Sequence, residues 1–470
     1  MKLKTLLLMA LTASLASAQS LVTDLPAVYI TTPNGASELN TETYVTTQMK
    51  MVYTDGTVSD YADTKLRGRG SAKFLLEKKP YKIKLAVKDR LIAEGAKAKK
   101  WNLMAQHGDK TLLRNALGSY IALQTGQPFA PGAEFVDLVL DGEYQGTYQL
   151  TDQVDIRKRR VNITEQPEVI SAITDISGGY LLQIDDEADD LEGSVFTTSR
   201  GVKVTVKSPD EDVIQTSQVD YIKAHVQKFE DALFAENWLD PNNGYRRYLD
   251  LNSLVQWYIT NEYMAEPNAF RAVYFYKELG QEKLTFGPVW DFDFALENSE
   301  RYGSRPRALM AQEGRGPEWC YVWINRLRED PGFHRAVNEA WTALTAGGIV
   351  ENVNAYIDAQ AAKLAQSAER NFRKYPVNVK VHDELHLFNT YAEGIAFLKK
   401  TQAARAEFLT EAFATLAAGG SVPVTGAMDG IEAIAPTEKS EAVYDLQGRR
   451  VNTTDRPGIY IQGGRKILVR

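Results

Sequence analysis

The chain has 470 residues, 44% hydrophobic and 24% charged, with unremarkable numbers of glycine (33) and proline (17). These values exclude a disordered, collagenous or disulfide-stapled protein, and at ~150 residues per domain the length allows about three folding units. With 54 basic against 61 acidic side chains the formal charge is −7, the wrong sign for a nucleic-acid coat, and the single cysteine, Cys320, closes no intramolecular bridge.

Lys2 and Lys4 precede an apolar run over residues 6–15 and then Ala16-Ser17-Ala18, the charged, apolar and small-residue order of a secretory signal peptide. Cleavage after Ala18 is expected, and with it secretion or display at the cell surface. No later run reaches ~18 apolar residues, so no membrane span is expected in the mature chain. Residues 21–85 alternate apolar and polar positions in short strands such as Ala27-Val28-Tyr29-Ile30 and Tyr81-Lys82-Ile83-Lys84-Leu85. A helix follows, with Leu113, Leu117, Tyr120 and Ile121 at helical spacing and Gly126 placed to stop it. Strands over 134–140 and 146–150 are joined by Asp141-Gly142, a strong hairpin signal.

Beyond residue 161 the pattern turns helical. Strands are predicted at 179–184 and 202–207, helices at 212–234 and from around Asp250 or Asn252, the second with Leu254, Val255, Tyr258 and Ile259 on one face, and a hairpin of 273–276 with 283–286 across Gly280. Residues 318–418 read mostly as helices, with 382–388 a connecting or short helical piece. The expected organisation is a signal peptide at 1–18, a strand-rich part at 19–160, a mainly helical part at 161–418, a linker at 419–430 and a small β tail at 431–470. The tail carries two strand patterns, too few to hold a core alone.

Two clusters carry chemistry. In Gly287-Pro288-Val289-Trp290-Asp291-Phe292-Asp293, alternation at a strand end would project both carboxylates from one side, an offer that suits a hard cation such as Mg²⁺, completed by water and phosphate oxygens. The basic cluster is Arg67-Gly68-Arg69-Gly70-Ser71 with Lys78, Lys79, Lys82 and Lys84; the strand period sets Lys82 and Lys84 opposite Tyr81, Ile83 and Leu85, where they can meet an anion. A solvated turn acid and a solvated lysine face are the structural alternatives. His382 and His386 lack a third zinc ligand, the acidic run 185–190 lacks an EF-hand's glycine, and Cys320 reads as a buried apolar residue.

Seven ordered segments, Leu66-Arg67-Gly68-Arg69-Gly70-Ser71, Lys78-Lys79-Pro80-Tyr81-Lys82-Ile83-Lys84-Leu85, Asp109-Lys110-Thr111-Leu112-Leu113-Arg114-Asn115, Gly142-Glu143-Tyr144-Gln145-Gly146-Thr147-Tyr148-Gln149-Leu150, Arg160-Val161-Asn162-Ile163, Gly178-Gly179-Tyr180-Leu181-Leu182 and the tryptophan-led acidic pair, resemble the spore-coat protein H (CotH) kinase family over about residues 25–416. The resemblance implies an α+β, atypical protein-kinase-like fold of two lobes, a strand-rich N-lobe and a helical C-lobe, with ATP and Mg²⁺ between them and transfer of phosphate to Ser or Thr of an exported or surface protein. Carried over by position, Asp291 resembles the metal-binding aspartate with Asp293 beside it. Lys82 and Lys84, backed by Arg67 and Arg69, become phosphate contacts, and Arg114 a residue facing the cleft. The residues 443–470 resemble the C-terminal sorting modules of secreted Bacteroidetes proteins.

The departures bear on activity. Glu266-Pro267-Asn268-Ala269-Phe270-Arg271 puts Asn268 where the family's catalytic aspartate is expected, and an amide takes no proton from a hydroxyl. Asp152 and Gln183 stand where glutamates are expected. Asn268 can still offer a metal its carbonyl oxygen, and Glu262 or Glu266 is a nearby candidate base. The alternative is a secreted pseudokinase or envelope interaction module that turns nothing over.

Overall fold

The computed structural model describes residues 20–167, 169, 173–185, 194–312 and 319–423, with four short strands between 443 and 469. The signal peptide call, most of the acidic run 185–190, the helical start at 318 and most of the linker call fall outside the described residues.

Seven strands come first: β1 (Ala27–Thr31), β2 (Val45–Val52), β3 (Val58–Gly68), β4 (Tyr81–Asp89), β5 (Ala98–Met104), β6 (Ala133–Leu140) and β7 (Glu143–Asp152), interrupted by a one-turn helix α1 (Ser71–Phe74) and by α2 (Arg114–Gln124). They pair in the order β1-β2-β3-β4-β5-β7-β6 and close, because β1 pairs antiparallel with β2 on one side and parallel with β6 on the other. Closure removes both sheet edges. The strand period sorts the side chains: Tyr81, Ile83 and Leu85 of β4 point into the barrel with Leu66, Trp101, Leu103, Val136 and Leu150, while Lys82 and Lys84 stay on the outer face. Asp141-Gly142 makes the β6–β7 turn as expected, with Asp141 in the left-handed region at φ 50° and Gly142 at φ 84°.

A second, antiparallel sheet has the order β12-β11-β8-β10-β9, from β8 (Tyr180–Ile184), β9 (Val195–Thr197), β10 (Lys203–Ser208), β11 (Val273–Lys277) and β12 (Leu284–Phe286). Helices α3 (Thr216–Phe234) and α4 (Leu251–Met264) pack against it. Asp250 caps α4 by accepting from the amides of Asn252 and Ser253, and Ala265 ends it at φ 47°. Leu254, Val255, Tyr258 and Ile259, expected on one apolar face, are all buried, and so is almost every residue of the last three turns. Then come α5 (Tyr321–Leu327), α6 (Pro331–Ala346), α7 (Ile349–Lys363), α8 (Ala365–Lys374) and α9 (Tyr391–Ala417). No helix among the described residues is long and apolar enough to cross a membrane.

The fold is mixed α+β, but the strand-rich part is a closed barrel, and residues up to Thr425 form one compact unit in place of two clear lobes. The reason is that late helices return to the early barrel. Ser367 donates to Asp137 at 2.6 Å, Lys363 pairs with Glu134 at 2.7 Å, and the Asn371 side-chain oxygen accepts from the Thr147 amide at 3.2 Å and from Lys78 at 2.9 Å. Gly146 between them sits at φ 111°, where a Cβ would lie 2.6 Å from that Asn371 oxygen. A second unit, Gly426–Arg470, holds a sheet in the order β14-β13-β15-β16, from β13 (Val443–Tyr444), β14 (Arg450–Val451), β15 (Gly458–Gln462) and β16 (Arg465–Val469). Each of the two strand patterns read in the tail is thus a pair of strands, making four among the described residues.

Candidate functional site

The acidic pair does not owe its position to strand alternation. β12 ends at Phe286, and Asp291 sits at φ 60°, so the chain kinks in the left-handed region between the two carboxylates. Packing and one amide side chain fix this kink. Phe292 is buried against Gly118 of α2, where a Cβ would lie 2.1 Å from the ring, so only glycine lets the ring in. Asn115, one turn earlier on α2, accepts from the Phe292 amide at 2.8 Å and donates to Asp293 and, at 3.1 Å, to Gln106. Asn298 holds the Asp293 carbonyl at 2.7 Å, and Trp290 donates its indole N–H to the Ala272 carbonyl at 2.9 Å.

Between the carboxylates lies Lys73 of α1. Its Nζ is 3.0 Å from Asp291 Oδ1 and hydrogen-bonded to Asp293 Oδ2. The one-turn helix that carries it is set by two glycines. Gly68 allows the Phe74 ring to fold back to within 2.4 Å of where a Cβ would be, and Gly70 starts the turn at φ 68°. Burial works against the charge of Lys73, but Asp291 and then Asp293 outweigh it and hold the ammonium above the usual lysine range. Burial likewise works against a charged Asp293, and Lys73 and the Asn115 amide overcome it, so that carboxyl stays below its ordinary value.

The outer barrel face supplies a basic wall. Registers align Lys65, Lys84 and Lys100 in one cross-strand row and Arg67, Lys82, Asn102 and Thr151 in the next. Lys82 is pulled down to about 8, by burial first and then by Arg67, Arg69, Lys207 and Lys100. A cleft of about 1110 Å³ is lined by Arg69, Lys73, Lys82 and Lys84 together with Asn268, Trp290 and Asp291. Asp293 lines a smaller cavity that shares Arg69, Lys73 and Phe294 with the cleft. The lysine ribbon and Asp291, about 200 residues apart in sequence, therefore meet in one cleft, and Asp293 lines the smaller cavity that shares Lys73 with it.

Two basic candidates lie elsewhere. Arg114 is buried, paired with Asp109 at 2.5 Å and donating to the carbonyls of Ala295 at 2.8 Å and Leu296 at 3.3 Å, so it supports the acidic loop from behind and does not face the cleft. Arg67 turns to the carbonyls of Thr41 and Glu42 at 2.9 and 3.1 Å and lies over the Tyr44 ring; it reaches Lys82 only by its field. Asn268 is at the cleft, and its Oδ1 accepts from the Tyr302 hydroxyl at 2.5 Å. Glu262 is committed to structure, since it pairs with Arg405 at 2.8 Å and accepts from the amides of Met310 and Ala311. Glu266 is buried and accepts from the Asn268 amide at 2.9 Å; burial first, and then Asp291 and Asp293, push its carboxyl far up toward the protonated form. Asp152 pairs with Arg160 at 2.7 Å, and Gln183 donates to Asp185 at 2.8 Å, both on the cleft lining. His382 and His386 sit on no common helix: His382 stacks on Phe294, and His386 packs at a tilt against Phe397.

Asp291 and Asp293 are the oxygen donors that could hold Mg²⁺, and the Asn268 side chain shares the cleft lining with Asp291. Among the described residues no group of three or more His, Cys, Asp or Glu gathers as a metal cage. Two carboxylates fit Mg²⁺, which keeps water and phosphate oxygens in its shell.

Sequence reasoning missed Lys73 and Asn115. Lys73 falls inside the basic segment, yet nothing local marks it apart from its neighbours. Asn115 stands in the quoted segment beside Arg114, and the attention went to the charged member of the pair. The family model described as CotH kinase protein matches residues 65–400. No curated protein matches the chain.

Proposed function

The chain belongs to the CotH kinase protein family, and on that premise we propose that its cleft binds ATP with Mg²⁺ and passes the terminal phosphoryl group to a Ser or Thr hydroxyl of an exported or surface protein, in a kinase-like arrangement of barrel and helices. The observation that carries this reading is the meeting of Lys82, Lys84 and Arg69 with Asp291 in one cleft. Phosphoryl transfer asks the protein mainly to position the nucleotide and to balance spreading negative charge. Mg²⁺, when bound, supplies charge neutralisation at the phosphoryl oxygens, and Asp291 and Asp293 are the residues that would hold it.

The remaining roles belong to the chain. Lys82 and Lys84 hold phosphate oxygens as point charges and Arg69 through its planar fork of donors, and Lys82, with its value near 8, is charged at neutral pH and sensitive just above it. Asn268 keeps its Oδ1 on Tyr302, which leaves its N–H groups to donate to an incoming hydroxyl oxygen. It orients an acceptor without taking its proton, and the missing base costs about 10²–10⁴ in rate. That amide also favours a second reading, a nucleotide-binding pseudokinase. Export through residues 1–18 and a sorting role for the tail complete the proposal.

Calorimetric titration with ATP and Mg²⁺, followed by transfer of labelled phosphate to envelope proteins, tests it. The expected result is binding, with slow transfer abolished by Asp291→Ala and accelerated about 10²-fold or more by Asn268→Asp. Binding without transfer in either protein selects the pseudokinase. Absence of ATP binding refutes both.

A further inference from the structure

The two carboxylates that suit a divalent cation already hold a cation. Lys73 Nζ touches both, at 3.0 Å from Asp291 Oδ1 and in hydrogen bond with Asp293 Oδ2. Both oxygens of Asp293 are engaged, because the other one takes the Asn115 amide. A Mg²⁺ needs oxygens at about 2.0–2.1 Å, and to bridge the two carboxylates it must take the place of the ammonium that lies between them or crowd out the amide. Asn115 is anchored on both sides, by the Phe292 amide and by Gln106. Lys73 rides on a single turn that follows Gly70, at the end of a flexible four-carbon stem, and is partly exposed to the cleft. Of the two partners, the lysine is the one able to leave.

We propose that Lys73 is the resident occupant of the cation seat, so that its ammonium and a divalent cation exclude one another, and that with Lys73 seated the cleft takes a polyphosphate without metal. The second half rests on the nucleotide reading above; the first does not. With Lys73 in place one of the acidic pair's two charges is compensated, and a polyanion arriving beside Arg69 and Lys82 meets less repulsion from the carboxylates. With a divalent cation in the seat, the released ammonium is free to turn to the phosphates. Arg69 provides the internal control. It acts on both Lys73 and Asp293 through its charge, yet forms no ion pair with either carboxylate among the described residues.

The test is two titrations on the full chain. Mg²⁺ alone is titrated by calorimetry into wild type, Lys73→Met and Arg69→Met. Emptying the seat is expected to tighten Mg²⁺ binding about tenfold or more, whereas removing the non-contacting charge gains about threefold or less. Inorganic tripolyphosphate is then titrated in EDTA and again with Mg²⁺. Wild type is expected to bind in both, and Lys73→Met to lose about tenfold in EDTA alone. Lys73→Gln repeats both arms with a side chain that still donates, in case the apolar variant does not fold. Unchanged Mg²⁺ affinity on emptying the seat, or an equal gain in Arg69→Met, overturns the exclusion. A wild type that needs Mg²⁺ for tripolyphosphate overturns the metal-free state. Tripolyphosphate that binds under neither condition removes the nucleotide reading and leaves the Mg²⁺ arm to decide the exclusion alone.

Discussion

Asn115 allows the construction of the acidic loop to be measured by replacing one side chain in two ways. Its oxygen accepts from the buried Phe292 amide at 2.8 Å, and its nitrogen donates to Asp293 and to Gln106. Asn115→Leu removes all three bonds. The charge-assisted bond contributes about 1.5–3 kcal/mol, and an orphaned buried amide costs about 1–3 kcal/mol, so about 3–5 kcal/mol should be lost before relaxation. Asn115→Asp keeps the acceptor for Phe292 but sets a second carboxylate against Asp293. At ~4 Å and an effective dielectric of ~20, that repulsion is worth about 4 kcal/mol at neutral pH. The two variants should then be equally unstable for different reasons, and two additions separate them. A divalent cation binds only the folded state and stabilises by about 2.7 kcal/mol at a hundred times its Kd, so at one Mg²⁺ concentration Asn115→Asp, which adds a third carboxylate, should be stabilised more than Asn115→Leu. Lower pH should act likewise: repulsion raises the carboxyl values in the folded state above the unfolded ones, so the folded state gains protons first and the deficit shrinks as pH falls from 7 toward 5. Thermal and urea unfolding with and without Mg²⁺ at both pH values is the assay. If both variants lie within about 0.5 kcal/mol of wild type, Asn115 does not grip the loop and the account of the site is wrong.

Gly118→Ala places a methyl 2.1 Å from the Phe292 ring, so it should cost about 1–3 kcal/mol and weaken Mg²⁺ binding together with stability, measured by melting and by cation titration. Tripolyphosphate binding should weaken as pH rises through about 8, where Lys82 loses its proton, and Lys82→Arg should flatten that limb; an unchanged profile would remove Lys82 from the anion site. Burial holds Lys78 far below the ordinary lysine range, so the folded chain binds fewer protons than the unfolded one and stability should climb from pH 7 toward ~10; Lys78→Met should reduce that slope in urea unfolding series.

What was legible in the sequence was local. Period-two alternation in β4 separated Tyr81, Ile83 and Leu85 from Lys82 and Lys84, and the Asp141-Gly142 turn and the start of α4 near Asp250 or Asn252 were visible from residue type. Barrel closure was not, because the parallel pairing of β1 with β6 joins residues more than a hundred positions apart and leaves no mark on either strand's alternation. The acidic pair was found by its residues and explained by the wrong geometry, since a left-handed Asp291 defeats the alternation argument while preserving its outcome. Arg114 was misplaced because charge in a motif was taken as exposure. Asp109, five residues earlier, was the available signal, for an acid ahead of a helix start can compensate an arginine and bury it.

The contacts that tie α7 and α8 to the barrel bear on how the cleft works. Lys78, Thr147, Asn371, Ser367 and Asp137 form a buried polar network joining β4's approach, β6, β7 and α8. Each member is satisfied by another, so opening the network would expose several donors and acceptors at about 1–3 kcal/mol apiece. Lys78 also lines the small cavity beside Asp293, which places this seam next to the cation seat. The barrel that carries the basic wall is therefore tied to α8 by this network, and the acidic loop is held separately by Asn115 and Gly118 of α2. Adjustment to a ligand then falls to the parts without such ties, the single turn carrying Lys73 and the side chains of Lys82 and Lys84. That division is why the identity of the cation in the seat, more than any swing of the walls, sets what the cleft can accept.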